Sequence, residues 1–330
     1  MTDLVRERRV ARARRPGGPE VVEVEVEDLS SLNVGESLVR VEAAGLNHVE
    51  SLIRSDTYSI RTPFPYAVGF EGAGVVVAAG PEVDLSPGTR VCWTAVFGSC
   101  ATFVVASASM LARLPDELSF EDGASLAHAG VTAAGLVRHW PLEEGASAVV
   151  WGAAGAVGLL LVAYLAERGV NVIGIASGAR TGAARAAGAT HVIDRASADV
   201  HDAVHAATDG RGVSAVFDPV GAATYPANLR LLAPRGCLIN YGQLSGALPS
   251  IDLLRLMDAG SVFVTKYGPR AGLVGHCQVG AFVSEALTLA TKRRVTPVVA
   301  GRFTLDRIVD AYRELESTPS GKIVVAPHDR

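Results

Sequence analysis

Between residues 148 and 266 the chain alternates short apolar runs with longer stretches of helical character. The apolar runs 148–151, 170–176, 191–194, 213–218, 237–241 and 262–266 read as buried strands. Segments such as 159–168 and 199–208 lie between them, and the alternation predicts a doubly wound parallel sheet. Upstream the pattern differs. Residues 21–26 alternate apolar with acidic side chains, the mark of a half-buried strand, and 36–43, 74–79, 89–92 and 101–106 read as further strands punctuated by glycine. This part predicts a partly open barrel of antiparallel strands. Beyond Lys266 a helix at 279–290 and a strand at 322–326 are expected to rejoin the barrel. The fold class is therefore α/β, with one domain built from 1–121 and 267–330, the other from 122–266, and an active cleft expected between two lobes.

The first parallel strand ends in a turn of small residues, Ala153-Ala-Gly-Ala-Val-Gly158, before an apolar helix that stops near Gly169. A strand, a glycine turn and a helix in that order form the fingerprint of a dinucleotide site, because the first N–H groups of the helix are unpaired and its dipole is positive there. Gly155 allows close approach of a pyrophosphate and Gly158 allows tight packing of helix on sheet, while Ala153 replaces the first glycine of the usual pattern. Ala154, Gly155, Ala156, Val157 and Gly158 are the expected phosphate contacts. A second strand about twenty residues on would carry an acid in an NAD site. Here it ends Ile175-Ala-Ser-Gly-Ala-Arg180, without one. Ala176 does not repel a 2′-phosphate, Ser177 can donate to it, and Arg180 and Arg195 offer charged contacts, so the expected cofactor is NADPH. Asp218-Pro-Val-Gly221 and Asn240-Tyr-Gly242 place turns at carboxyl ends of strands, which nominates Val220, Tyr241 and Gly242 as cofactor contacts. Lys266 and Lys322 are candidates for phosphate or carboxamide.

Bulk properties restrict the function classes. With 330 residues, 49 % of them hydrophobic, 19 % charged and a net charge of −4, the chain has material for two cores and no footprint for nucleic acid. No run reaches transmembrane length and no signal peptide is visible, which predicts a cytoplasmic protein with no membrane partner. Four cysteines (Cys92, Cys100, Cys237 and Cys277) lack CxxC spacing and are expected as reduced thiols. The basic start, with Arg6, Arg8, Arg9, Arg12, Arg14 and Arg15, reads either as a targeting or nucleic-acid arm or as an exposed edge strand, and Glu7 together with the run into 21–26 favours the strand.

In order along the chain, Gly17-Gly-Pro-Glu-Val21, Ala44-Gly-Leu-Asn-His48, Ile53-Arg-Ser55, Gly69-Phe-Glu-Gly-Ala-Gly74, Pro87-Gly-Thr-Arg-Val91, Ala153–Gly158 and Gly321-Lys-Ile-Val324 resemble the zinc-independent quinone oxidoreductases of the medium-chain dehydrogenase/reductase superfamily. The resemblance implies a GroES-like barrel joined to a Rossmann domain, a homodimer, and NADPH-dependent reduction of a quinone or another α,β-unsaturated carbonyl. An enoyl reductase that tailors polyketides is the nearest alternative, and a non-catalytic NADPH-binding protein is a second class. Zinc-dependent relatives carry Cys where Asn47 stands, His where Phe70 stands, and a third ligand near His128. Amide and phenyl are unsuited to zinc, and His48, Glu71 and His128 would make only a nonstandard set, so no metal is expected.

Without metal, the charge that develops on a carbonyl oxygen needs a placed donor and later a proton. By resemblance Asn47 lies near the nicotinamide ribose and donates through its amide, Tyr58 is the nominated proton donor, and Thr132 lies near the nicotinamide. Each has a plainer alternative, a loop amide satisfying backbone for Asn47 and core packing for Tyr58. Leu52 stands where several family members carry tyrosine, and His48 is the candidate to replace that missing hydroxyl. Tyr58, Phe64, Tyr66, Phe97, Tyr241 and Tyr267 are available to line a flat pocket, and core packing explains most of them equally well.

Overall fold

A computed structural model describes residues 5–29, 31–58, 61–268, 279–293, 295–317 and 321–328; Cys277 lies outside them. The chain divides into a barrel unit (1–131, 275–291 and 296–330) and a parallel-sheet unit (132–274 and 292–295). In the barrel unit, β1 (Glu7–Ala13) and β2 (Val22–Asp28) precede β3 (Glu36–Leu46), which runs into α1 (His48–Arg54). Then come β4 (Tyr66–Ala67), β5 (Glu71–Ala79), β6 (Arg90–Thr94), β7 (Phe103–Ser107), β8 (Leu111–Arg113) and α2 (Phe120–His139). The units part inside α2, after Val131.

The second unit begins with β9 (Ser147–Trp151), α3 (Ala156–Glu167), β10 (Asn171–Ala176), α4 (Thr181–Ala186), β11 (His191–Asp194) and α5 (Val200–Ala207). It continues through β12 (Val213–Asp218), α6 (Tyr225–Leu231), β13 (Leu232–Asn240), α7 (Leu253–Asp258) and β14 (Phe263–Lys266). After α8 (Val279–Arg293) the chain adds β15 (Val299–Thr304), α9 (Ile308–Glu316) and β16 (Lys322–Ala326), and these last three belong to the barrel unit.

Strand β3 is the spine of the barrel sheet. It pairs antiparallel with β5 along most of its length, with β7 over Glu36–Arg40, and with β16 over Ala44–Leu46. The sheet order is β15-β16-β3-β5-β6-β8, with β7 joined to β3. Inward residues such as Val39, Val41, Trp93, Val104, Tyr312 and Ile323 are essentially buried and form its core. The arginine-rich start corrects its expectation: β1 is not an exposed edge but the middle strand of a small sheet, β2-β1-β4. Register places Arg8 opposite Glu27 and Arg12 opposite Glu23. Arg8 Nε lies 2.7 Å from Glu27 Oε1, and Arg12 pairs with both Glu25 and Glu27. The alternating acids of β2 are thus the counter-charges of β1, which neutralises the basic run.

The parallel-sheet unit has the order β11-β10-β9-β12-β13-β14, every neighbouring pair parallel. Counted within this unit the order is 3-2-1-4-5-6, with its switch point between β9 and β12, beside which such sheets bind ligands. Six apolar runs read from the sequence coincide with these strands because both faces are covered. β13 starts earlier than expected, at Leu232, because Pro234-Arg-Gly236 interrupts the apolar run; the register with β12 shifts there and Arg235 takes φ 64°. Among the described residues no helix is long and apolar enough to cross a membrane.

Candidate functional site

At the end of β9 the chain turns through Gly152, at φ +62°, and Gly155 caps α3 with extended backbone. Ala153 N donates to Ile175 O (3.0 Å) and Gly155 N to Gly152 O (2.8 Å), which folds the turn under the helix. A Cβ on Gly158 would lie 2.1 Å from Gly152 O, so only glycine fits. Ala153 is fully buried, and a Cβ on Gly174 would lie 3.0 Å from its methyl. The methyl gained at Ala153 is accommodated by a side chain absent from β10. Ala154 is buried, whereas Gly155, Ala156 and Val157 are half-buried at the helix start. There the first-turn N–H groups lack intrahelical acceptors. The sequence reading missed Gly152 and Gly174, both adjacent to the fingerprint.

One strand over, β10 ends at Ala176, and Arg195 Nε donates to Ser177 Oγ at 2.8 Å. Arg180 closes the short turn Gly178–Arg180 that follows Ser177. Asp194 stands in register with Ala176, but its carboxylate accepts from Ala196 N (3.0 Å) and so caps its own loop. On the other side of β9, buried Asp218 accepts from Val220 N (2.7 Å), Thr224 Oγ1 (2.9 Å) and Asn228 Nδ2 (3.1 Å). Asn228 Oδ1 in turn accepts from Trp151 Nε1 at 2.7 Å, which ties this network to the end of β9. Lys266 Nζ donates to Asn240 Oδ1 (2.6 Å) and Gly242 O (2.9 Å), and a Cβ on Gly242 would sit 2.3 Å from Pro219 O. Val220, Tyr241 and Gly242 therefore lie on two loops pinned together, with Tyr241 N donating to Asp218 O (2.9 Å). Burial raises the Asp218 carboxyl and lowers the Lys266 ammonium from their ordinary ranges. Thr132 is half-buried on α2.

The barrel unit holds a second polar cluster. Strand β3 ends at Leu46, Asn47 caps α1, and Glu50 Oε1 accepts from Asn47 N at 3.0 Å, the return arm of a capping box. Asn47 Nδ2 donates to Glu71 Oε1 (2.7 Å), while Asn47 Oδ1 accepts from Lys322 Nζ (2.9 Å). Lys322 Nζ also pairs with Glu71 Oε1, and Glu71 Oε2 accepts from His128 N (2.8 Å). The Glu71 side chain is fully buried and that of Lys322 is 8 % exposed. Desolvation, with the Lys322 charge as a further cause, holds His48 below the ordinary imidazole range and pushes His128 down to about 4. Burial pushes Glu50 up to about 7, although Tyr312 Oη donates to its Oε2 at 2.9 Å. Asn47, His48 and Lys322 are thus brought together, with Glu71 and His128 beside them. Glu50, at a capping-box spacing from Asn47, is a signal the sequence reading passed over.

An aromatic file abuts this cluster. Ring centroids are 5.2 Å apart for Phe64 and Tyr66, 6.0 Å for Tyr66 and Phe97, 6.3 Å for Phe97 and Phe70, and 4.8 Å for Phe70 and His128, all edge to face. Phe97 is half exposed, whereas Tyr66 and Phe70 are buried. Tyr58 packs, partly buried, on the same core, its N–H donating to Leu52 O (3.1 Å). Tyr241 and Tyr267 belong to the other unit, where Tyr267 meets His139 at 5.5 Å.

Residues 33–138 match the alcohol dehydrogenase GroES-like domain family, and residues 156–269 the zinc-binding dehydrogenase family. A quinone oxidoreductase of Pseudomonas aeruginosa is 32 % identical over 318 residues, 94 % of this chain and 97 % of that protein. The chain belongs to the quinone oxidoreductases of the medium-chain dehydrogenase/reductase superfamily. A mycobacterial protein whose structure was solved in complex with NADPH aligns at TM-score 0.85 and 32 % identity, covering 97 % of this chain and 100 % of that one. A pikromycin polyketide synthase component of Streptomyces venezuelae is 31 % identical over 89 % of this chain, which spans 8 % of that protein. The two units of this quinone oxidoreductase relative are accordingly a GroES-like barrel and a Rossmann domain.

Zinc is implied by one of those family descriptions, and the residues do not suit it. Phe70 has no donor atom, the Asn47 amide is engaged at both ends, and the two Glu71 oxygens are taken by Asn47, Lys322 and His128 N. Cys92, Cys100 and Cys237 are buried thiols whose pKa burial raises, and none replaces the missing thiolates. Elsewhere Asp199, His201 and Asp202 bring ligand atoms within 4.8 Å at the start of α5, where Asp199 is already occupied as a helix cap for Asp202 N.

Proposed function

We propose that the protein is an NADPH-dependent reductase that converts a quinone, or a comparable conjugated carbonyl, without a metal. The supporting observation is the Asn47–Glu71–Lys322 cluster of fixed polar groups with the aromatic residues Phe97, Phe70 and His128 beside it: placed polar groups in an apolar surround suit an electron-poor ring with carbonyl oxygens. Ser177, Arg180 and Arg195 take the 2′-phosphate, and the N–H groups of Ala156, Val157 and Gly158 take the pyrophosphate.

When bound, NADPH supplies hydride, two electrons with one proton. With one further proton the overall change is quinone to hydroquinone and NADPH to NADP⁺. The Asn47 amide keeps one Nδ2 hydrogen beyond that given to Glu71, and this N–H is the donor for the substrate oxygen as it gains charge. Tyr58 supplies the proton through its hydroxyl, or water does for a hydroquinone. Kinship with the polyketide synthase component supports a second reading, reduction of an enoyl thioester, in which protonation at the α-carbon needs a placed donor. Turnover of NADPH with a set of benzo-, naphtho- and phenanthrenequinones against a set of enones and enoyl thioesters decides between them. Quinones at the higher kcat/KM support the first reading; enoyl thioesters alone support the second.

A further inference from the structure

We propose that the Lys322 ammonium is the resident cation of the barrel cluster, and that with Glu71 it locks the Asn47 amide in its donating orientation and leaves the cluster without a seat for a metal ion. The orientation claim rests on the reading of Asn47 as the substrate donor; the claim about the cation does not.

Four observations converge. The topology delivers the lysine: β16 pairs antiparallel with β3, Ile323 opposite Leu46, so that Lys322 and Asn47 are the next residues across from one another. Both charges are buried, Glu71 completely and Lys322 to 8 % exposure. Desolvating a pair of ions is costly, so stability alone is a weak reason to place them there. By resemblance Asn47, Phe70 and His128 hold positions of metal ligands in zinc-dependent relatives; here Asn47 touches Lys322, His128 N touches Glu71, and Phe70 lies against the His128 ring. The acceptors of the cluster already serve the lysine and the backbone: Asn47 Oδ1 and Glu71 Oε1 face Lys322 Nζ, and Glu71 Oε2 accepts from His128 N.

The orientation of the amide follows from the charges. Its oxygen faces the ammonium at 2.9 Å and its nitrogen faces the carboxylate at 2.7 Å. A flipped amide would set N–H against N–H and oxygen against carboxylate, so the pair selects one rotamer. Lys322 is thereby a positioning residue, acting on the substrate through Asn47.

The test uses the full-length protein, Lys322→Ala and Lys322→Met, with folding checked by thermal unfolding. Zinc content is measured after equilibration with the metal and gel filtration, NADPH affinity by fluorescence, and kcat and KM with a quinone. The wild type is expected to retain no stoichiometric zinc. In Lys322→Ala kcat falls about 10- to 100-fold, NADPH affinity stays within about twofold, and added ethylammonium restores part of kcat. Stoichiometric zinc in the wild type overturns the proposal. So does a retained kcat in a folded variant, or a loss confined to NADPH affinity, which would make Lys322 a cofactor contact. If neither variant folds, Glu71→Gln replaces them: a fall in kcat supports the positioning role, and an unchanged kcat refutes it. Should the wild type reduce no quinone, the functional reading fails, while zinc content still judges the resident cation.

Discussion

Arg195 Nε donates to Ser177 Oγ at 2.8 Å, directly beyond the acid-free end of β10. A side chain from the turn just past the third strand of the Rossmann sheet thus closes on the turn after the second, where a ribose 2′-substituent is read in this fold. A guanidinium there gains from a phosphate and little from a hydroxyl. Replacing Arg195 or Arg180 by alanine should raise KM for NADPH about tenfold each, equivalent to about 1.4 kcal/mol, and leave KM for NADH within about twofold. Equal losses with both cofactors in steady-state assays would contradict the assignment.

Gly158→Ala tests the fingerprint itself. The added methyl would meet the Gly152 carbonyl at 2.1 Å, a backbone atom that moves only if the turn moves. Overpacking of this kind costs about 1–3 kcal/mol, which urea denaturation should show, together with weaker NADPH binding. Retained stability and retained affinity would mean that the turn tolerates a wider crossing than described.

The parallel sheet is legible because a strand covered on both faces leaves a continuous apolar run, so six strands stand out one by one. β13 loses its first residues to the reading because Pro234 and Gly236 mimic a loop where the chain makes a bulge. The short strands β4 and β8 leave too little pattern to read, and β15, interrupted by Gly301 and without a buried residue, carries no apolar run. β1 misleads for another reason: its counter-charges, Glu23, Glu25 and Glu27, sit on the next strand, and local sequence shows charge but not its partner. The same limit hides the centre of the polar cluster. Asn47, Glu71 and His128 each stand out singly, but Lys322 and Glu71 are 251 positions apart, and only the pairing of β16 with β3 brings them together.

Two buried groups set opposite pH dependences. His128 titrates at about 4 when folded and near 6.5 when unfolded, so its contribution is whole above about pH 6.5 and is lost toward pH 4, by up to about 1.4 kcal/mol per pH unit. Glu50, pushed up to about 7, has the reverse sign: its contribution is whole below about pH 4.5 and is lost as pH rises to 7. Denaturation from pH 4 to 8 should show the acid loss reduced in His128→Gln, and the stability of wild type relative to Glu50→Gln falling by up to about 3 kcal/mol between pH 4.5 and 7. Parallel profiles for wild type and both variants would show that neither group titrates as described.

Tyr58→Phe removes one hydroxyl and leaves the ring that packs on the barrel core. If the hydroxyl delivers the proton, kcat should fall about tenfold or more with stability little changed. Unchanged kcat, with quinone and enone alike, would assign Tyr58 to packing.

Anaerobic mixing of the protein with NADPH and a naphthoquinone addresses the central claim most directly. One hydroquinone should form for each NADPH consumed, at a rate that saturates with quinone and that chelators leave unchanged. NADPH binding without oxidation, in the presence of every quinone and enone tried, would contradict the account.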